Sequence, residues 1–350
     1  MALKTHRIGI VGATSLIGKE LAEELGESAL AAADLVLLDQ EEAAGQLAST
    51  GQEASFIQRL TSASFKDLDF VFFAGTIETT NKHWLGARTA GCTIVDLTNA
   101  LELQPSVLVR APWLISVSSL AQSQAPALPD LNTAAVVSAN PVALALALVV
   151  GRVQAKLPVL SVAATVMEPA SAFGRHAMDE LHQQTVSLLS FHDLPREQYD
   201  AQIAFNLLPG LGEQAKVAFA EVQQRIERHY HILSNGSLPP LDLQVIHAPV
   251  FHGHTASVLI ELKHAASVAQ VEEALVGEHI EVVTDESDPP SNLSASGQKS
   301  VLARVRNGSG LGDGRRFWLW LATDNLKFAA ANAIACAVEL RRLRPQGKVQ

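Results

Sequence analysis

The sequence predicts an α/β protein with a parallel-sheet domain, joined to an α+β domain built on a mixed sheet, over 350 residues. Three observations predict it. In the first third, short β-branched runs alternate with helical patterns, which argues for parallel strands with helices on the sheet faces. From about residue 160 onward, longer strands follow one another with few crossover helices, which argues for a mixed or antiparallel sheet. The length suits about two domains, at roughly 100–200 residues each.

Residues 6–13 read as a strand, nearly all apolar, as a strand covered on both faces should be. Residues 17–26 read as a helix, 35–39 as the second strand, and 69–75 (DFVFFAG) as the third. A helix at 78–90 then leads to a strand at 92–97. The second part offers strands at 160–170, 241–251, 255–263, 300–307 and 317–323, with long helices near 175–194 and 213–230. Residues 285–298 form a polar, proline-bearing loop, and an alanine-rich helix at 325–343 closes the chain. There is no internal repeat and no low-complexity tract.

Apolar residues make up 48% of the chain and charged ones 18%, a balance that supports a large core. The net charge of −10, without any Lys/Arg-rich run, gives no reason to expect nucleic acid or an anionic membrane as a partner. Two cysteines, Cys92 and Cys336, cannot make a disulfide framework or a cysteine zinc site, and both read as small core residues. The apolar runs at 8–11 and 142–150 are too short for a signal-peptide core or a membrane span, so a cytoplasmic location is expected.

The stretch from Gly12 to Gly18 (GATSLIG) joins the first strand to the first helix. Exposed backbone N–H groups at such a helix N-terminus hold a pyrophosphate. Ser15 sits where a glycine is often found, and a plain strand–helix turn that needs small residues is the competing reading. GIVGATSLIGKEL, FVFFAG, AGCTIVDLTNAL, SANPVAL, FNLLPG, IHAPVFHGHTASV and DNLKFAAANA follow in this order. Each resembles a segment of the aspartate-semialdehyde dehydrogenase family, and together they span nearly the whole chain. The resemblance implies a Rossmann-type domain of residues 1–133 completed by 325–350, and a catalytic and dimerisation domain of residues 134–324 that forms a homodimer. It also implies a nicotinamide dinucleotide held by Gly12, Thr14, Ser15, Leu16, Ile17 and Asn325, and a small-molecule ligand, with no metal.

The family's chemistry needs a thiolate that attacks an aldehyde; a hydride then leaves for NADP and phosphate cleaves the thioester. The nucleophile stands two residues after an Asn-Pro pair, at a helix start that lowers a thiol pKa. Here Asn140-Pro141-Val142 is followed by Ala143, whose methyl group cannot form a thioester. Ser138 lies near, but a hydroxyl without a paired base is a poor substitute.

His254 aligns with the family's acid/base histidine, a role that suits an imidazole; a packed strand-end histidine is the plainer reading. His247 aligns with an arginine that grips the substrate carboxylate, and histidine cannot reproduce that fork. With His252 the two make an H-x4-H-x-H pattern. Strand alternation would put 252 and 254 on one face and 247 on the other, so no metal site is expected. Glu102 aligns with a phosphate-site arginine and Glu168 with an active-site glutamine.

Glu213 and Lys216, three apart on an expected helix, match an acidic substrate contact and a basic phosphate contact, or make an exposed ion pair. Asn325 matches an asparagine on the nicotinamide side, or serves as a helix N-cap. After the second strand, Asp39-Gln40-Glu41-Glu42 puts Glu42 near the position of the arginine for the NADP 2′-phosphate. Carboxylates there favour a free 2′-hydroxyl, hence NAD over NADP.

The expectation is a dimeric homologue unable to carry out the thiol-dependent reductive dephosphorylation of aspartyl phosphate, and so a pseudoenzyme or altered-function member of an amino-acid biosynthesis family. The alternatives are an NAD(P)-dependent oxidoreductase that acts on another small substrate without a covalent intermediate, and a binding or regulatory subunit.

Overall fold

The computed structural model describes residues 6–31, 33–50, 53–114, 127–308 and 313–343; the remainder of the expected first domain, including 344–350, lies outside these. The described chain divides into two compact units. Residues up to 112, 127–139 and the chain from 329 onward form the first, and 140–328 with 113–114 the second.

In the first unit β1 (Arg7–Val11), β2 (Asp34–Asp39) and the hairpin β3 (Leu47–Thr50) and β4 (Glu53–Phe56) precede β5 (Gln58–Arg59). Then come β6 (Phe70–Phe73), β7 (Thr93–Asp96), β8 (Val107–Arg110) and β9 (Ala135–Ser138). Seven of these pair in the order β5-β2-β1-β6-β7-β9-β8, every pair parallel. Helices α1 (Leu16–Gly26) and α2 (Ile77–Thr89) connect strands, capped by Ser15 and Thr76 side chains. The hairpin, β8 and β9 are not expected from the sequence, and the expected boundary at 134 places β9 in the second domain, whereas β9 pairs with β7 and β8.

A single core joins Ile8, Ile10, Leu21, Leu25, Phe70 and Phe72 to Ala330, Ala333, Cys336, Ala337 and Leu340. The last five lie on the closing helix α7 (Asn325–Leu343), so the C-terminal helix completes this parallel-sheet domain. Both cysteines are buried, and burial pushes the Cys336 thiol well above its usual range. Arg110, also buried, forms a two-pronged pair with Glu339 at 2.6 and 3.0 Å.

In the second unit α3 (Pro141–Lys156) leads into β10 (Val159–Glu168), α4 (Arg175–Leu189) and α5 (Phe219–Ser234). β11 (Leu241–His247), β12 (His254–Leu262), α6 (Val268–Leu275), β13 (Ile280–Val282), β14 (Val301–Asn307) and β15 (Arg316–Thr323) follow. The six strands order as β11-β10-β12-β15-β14-β13. The sheet is mixed: β10–β11 and β13–β14 are parallel, and the other pairs antiparallel. Alternation sorts its faces. Ala256, Val258, Ile260 and Leu262 of β12 are buried, whereas Ser257, Leu259 and their register partners Thr165, Ala163 and Trp318 are partly or fully exposed.

Candidate functional site

The loop after β1 holds Gly12 at φ +86°, and a Cβ there would overlap the backbone of Gly75. A Cβ on Gly18 would overlap the Gly12 carbonyl. Both glycines are therefore required by close backbone approach. Ser15, where the usual motif has glycine, caps α1: its hydroxyl accepts from Gly18 N at 2.9 Å and donates to Ala74 O at 2.7 Å. Thr14 donates its N–H and hydroxyl to Asp39 Oδ2 at 2.8 and 2.6 Å. The amides of Leu16 and Ile17 remain as first-turn donors of α1, pointing with the helix dipole toward any anion placed there. This loop fits a dinucleotide pyrophosphate.

Asp39 ends β2, Glu42 is exposed beyond it, and Glu41 pairs with Arg59 at 3.0 Å. Arg59 is not expected at this site from the sequence. It stands opposite Asp39 in the register of β5 on β2, a pairing of two residues that no periodicity reveals.

In the second unit, Glu168 ends β10, His247 ends β11 and His254 begins β12. β11 and β12 flank β10, so the two histidines come from different strands on either side of Glu168. All three side chains are buried on one face. The expected separation of 247 from 254 was wrong, because the chain leaves the sheet at 248–253 and re-enters in a new strand; His252 in that turn is exposed. Among the described residues no cluster of three His, Cys, Asp or Glu has the geometry to hold a metal.

His254 Nε2 lies 3.1 Å from Glu168 Oε1, a close approach without hydrogen-bond alignment. His247 is walled by Phe173, Tyr199 and Phe219, at ring-centroid distances of 6.0, 4.8 and 6.3 Å. Burial lowers its pKa from 6.5 to about 4, against a smaller opposing effect of Glu168. His247 is therefore a neutral ring at neutral pH. Burial likewise raises the Tyr199 hydroxyl above its usual range.

The start of α3 borders the same place. Asn140 Oδ1 accepts from Val142 N and Ala143 N at 2.9 and 3.1 Å, and Pro141 occupies the first turn. Ala143 is fully buried. Val142, Ala145 and Leu146 line a small pocket with His254, Val166 and Thr323, of about 10 Å³, roughly the room one water needs.

Two expectations are corrected. Glu213 and Lys216 lie in exposed turns ahead of α5, which begins only at Phe219, so they do not share a helix face. The cap of α7 is Asp324, which accepts from Leu326 N and Lys327 N at 3.1 and 3.0 Å, in place of Asn325. The buried Asn325 carboxamide instead accepts from Gly253 N at 2.9 Å and donates to Ser171 Oγ at 3.0 Å, which ties the turn before His254 to the segment after β10. Glu102 sits in the partly exposed turn after β7, in the first unit.

A parallel-sheet dinucleotide fold followed by a mixed-sheet domain defines a class of two-domain dehydrogenases, and the comparisons agree. A family model described as the semialdehyde dehydrogenase NAD binding domain matches residues 7–165, and one described as the semialdehyde dehydrogenase dimerisation domain matches residues 151–328. The chain belongs to the aspartate-semialdehyde dehydrogenase family. It is 32% identical to a USG-1 protein homolog of Pseudomonas aeruginosa, over 93% of this chain and 95% of that one. It is 25% identical to an aspartate-semialdehyde dehydrogenase of Rickettsia bellii, over 96% of this chain and 98% of the relative. The structure of a probable aspartate-semialdehyde dehydrogenase from Pseudomonas aeruginosa superimposes with a TM-score of 0.82 at 30% identity, covering 97% of this chain and 99% of that one.

Proposed function

We propose that this chain is a dimeric member of the family that does not carry out the reductive dephosphorylation of aspartyl phosphate. The observation that carries the reading is Ala143: behind the Asn140 cap, where a helix N-terminus would activate a thiol, stands a buried methyl group. Its neighbours agree with it. At the position of the carboxylate-gripping arginine is His247, neutral and boxed by aromatic rings, and at that of the phosphate arginine is Glu102, an anion that repels phosphate.

A nicotinamide dinucleotide would be held by Gly12, Leu16 and Ile17, with Thr14 and Ser15 fixing the loop, and when bound it supplies hydride chemistry. Asp39, Glu41 and Glu42 at the ribose end favour NAD over NADP. Glu213 and Lys216 contact a small-molecule ligand only where the turn carrying them folds over it. The match to a dimerisation domain and the exposed face of the mixed sheet support a homodimer through the second unit. Two buried thiols suit the cytoplasm.

The test is a phosphate-dependent assay of NADP reduction with aspartate semialdehyde, beside fluorescence titrations with NAD, NADH and NADP. No turnover is expected, with NAD bound more tightly than NADP; turnover at rates ordinary for such enzymes would sink the reading. The buried Glu168–His254 pair favours one second reading, an oxidoreductase in which His254 moves a proton without a covalent intermediate. It requires saturable dinucleotide binding, and no binding at millimolar nucleotide excludes it.

A further inference from the structure

We propose that the open edge of β11 pairs antiparallel with the same edge of a second copy, about a two-fold axis at Leu243. The contact is separate from the sheet-face dimer and does not depend on it. β11 ends the mixed sheet on one side and bonds within it only to β10. In a strand, the N–H and C=O of one residue point to one side and those of the next residue to the other. Ala248 N donates to Glu168 O at 3.0 Å, on the β10 side, whereas His247 exchanges both its groups with Leu208, at 2.8 and 3.1 Å, on the other. By the same alternation Leu241, Leu243 and Val245 turn their N–H and C=O groups away from β10. The Leu208 bridge is isolated, and among the described residues no backbone group bonds to these three. Water meets them in the single chain.

Natural sheet edges are blunted by shortness, lysines, proline or bulges. The opposite edge, β13, is three residues long. β11 has seven residues, one carboxylate, no lysine, and an unbroken register with β10. Beside Val245 a groove of about 540 Å³, bordered by Gly210, Leu211, Val217, Gln223 and Gln224, leaves room along the edge. Self-complementarity selects the occupant. Two copies that meet at Leu243 exchange both hydrogen bonds there, and again where Leu241 faces the second copy's Val245. On that face the pairs are apolar. On the other, the exposed Asp242 stands opposite the exposed Gln244 of the second copy, whose carboxamide donates to it. No like charges meet, although the chain carries a net charge of −10. Pro239 and Pro240 precede the strand, so beyond Leu241 the second copy brings no N–H to the stretch that Leu208 already fills. So short an edge makes a small contact, with a dissociation constant on the order of 100 µM.

The test measures mass and hydrogen exchange on the full-length protein at about 5 and about 500 µM, either side of that constant. Small-angle scattering is expected to show the mass doubling at the higher concentration. Exchange resolved by electron-transfer fragmentation should slow there at the amides of Leu241, Leu243 and Val245, and stay unchanged at Asp242 and Gln244, which bond to β10. Gln244→Glu sets carboxylates face to face and should weaken association severalfold. Gln244→Lys meets Asp242 and should tighten it severalfold, since each change counts twice across the axis. Leu243→Pro removes the central donor at an edge position where proline is tolerated, and should abolish the doubling, with Tm recorded to show that the fold persists. Ser257→Arg should still double in mass through this edge; its mass at the lower concentration bears only on the sheet face. A mass that does not rise with concentration, doubling that leaves the three edge amides exchanging as before, or equal association of the two Gln244 variants overturns the proposal.

Discussion

Burial of His247 without a hydrogen-bond partner couples folding to pH. Its pKa is 6.5 unfolded and about 4 folded, so between those values the unfolded chain binds a proton that the folded chain does not. The contribution is fully present above pH 6.5 and is lost as pH falls through 4, amounting to roughly 3 kcal/mol over the window. Denaturant unfolding at pH 5 and pH 8 should show about 2 kcal/mol of that loss, and His247→Phe should flatten it; an unchanged acid limb would remove His247 as its source. Ala143→Cys is the complementary substitution. It supplies the sulfur, but His247 and Glu102 stay as they are, so phosphate-dependent oxidation of aspartate semialdehyde should stay at background. Rescue by this one change would show that those two positions do not matter.

At the level of elements, what matters is how segments are joined near the two sites. Asn325 connects Gly253, one residue before His254, to Ser171, three residues after Glu168. Asn325→Ala leaves the buried Gly253 N–H unmet, so stability should fall by about 1–3 kcal/mol and exchange at that amide should quicken. In the first unit, Glu41 holds Arg59 beside Asp39 at an exposed surface. Glu41→Gln frees that guanidinium, and NADP affinity should rise severalfold relative to NAD in a fluorescence titration.

These two joints also show what the sequence could express. The parallel β1, α1 and the glycine turn were legible because a strand, a cap and a helix follow within twenty residues. The same held for α7, an unbroken nineteen-residue pattern matched from end to end. The Glu168–His247–His254 cluster was not legible, since β10 inserts between two strands consecutive in the chain, and alternation along one strand says nothing about neighbours across three. Tyr199 carried no signal at all. It lies in an irregular segment whose burial comes from tertiary packing.

On the scale of the molecule, the homodimer is the property most open to test. Ser257 sits on the exposed face of the mixed sheet, between Thr165 and Trp320 in register. Ser257→Arg puts a charge into the face proposed to meet a second copy, and light scattering should show monomer where the unmodified chain gives dimer. A dimer that survives the change would move the interface elsewhere.

The core of the parallel-sheet unit is closed by Ala330, Ala333, Cys336, Ala337 and Leu340, more than 300 residues after Ile8 and Ile10. On a ribosome, the strands and helices made first must wait for α7 before their apolar face is covered. Pairing across so long a span of sequence slows closure and leaves a sticky intermediate. Until α7 emerges, that uncovered face is open to chaperones and to aggregation. A fragment that ends before α7 would be released with that face still open.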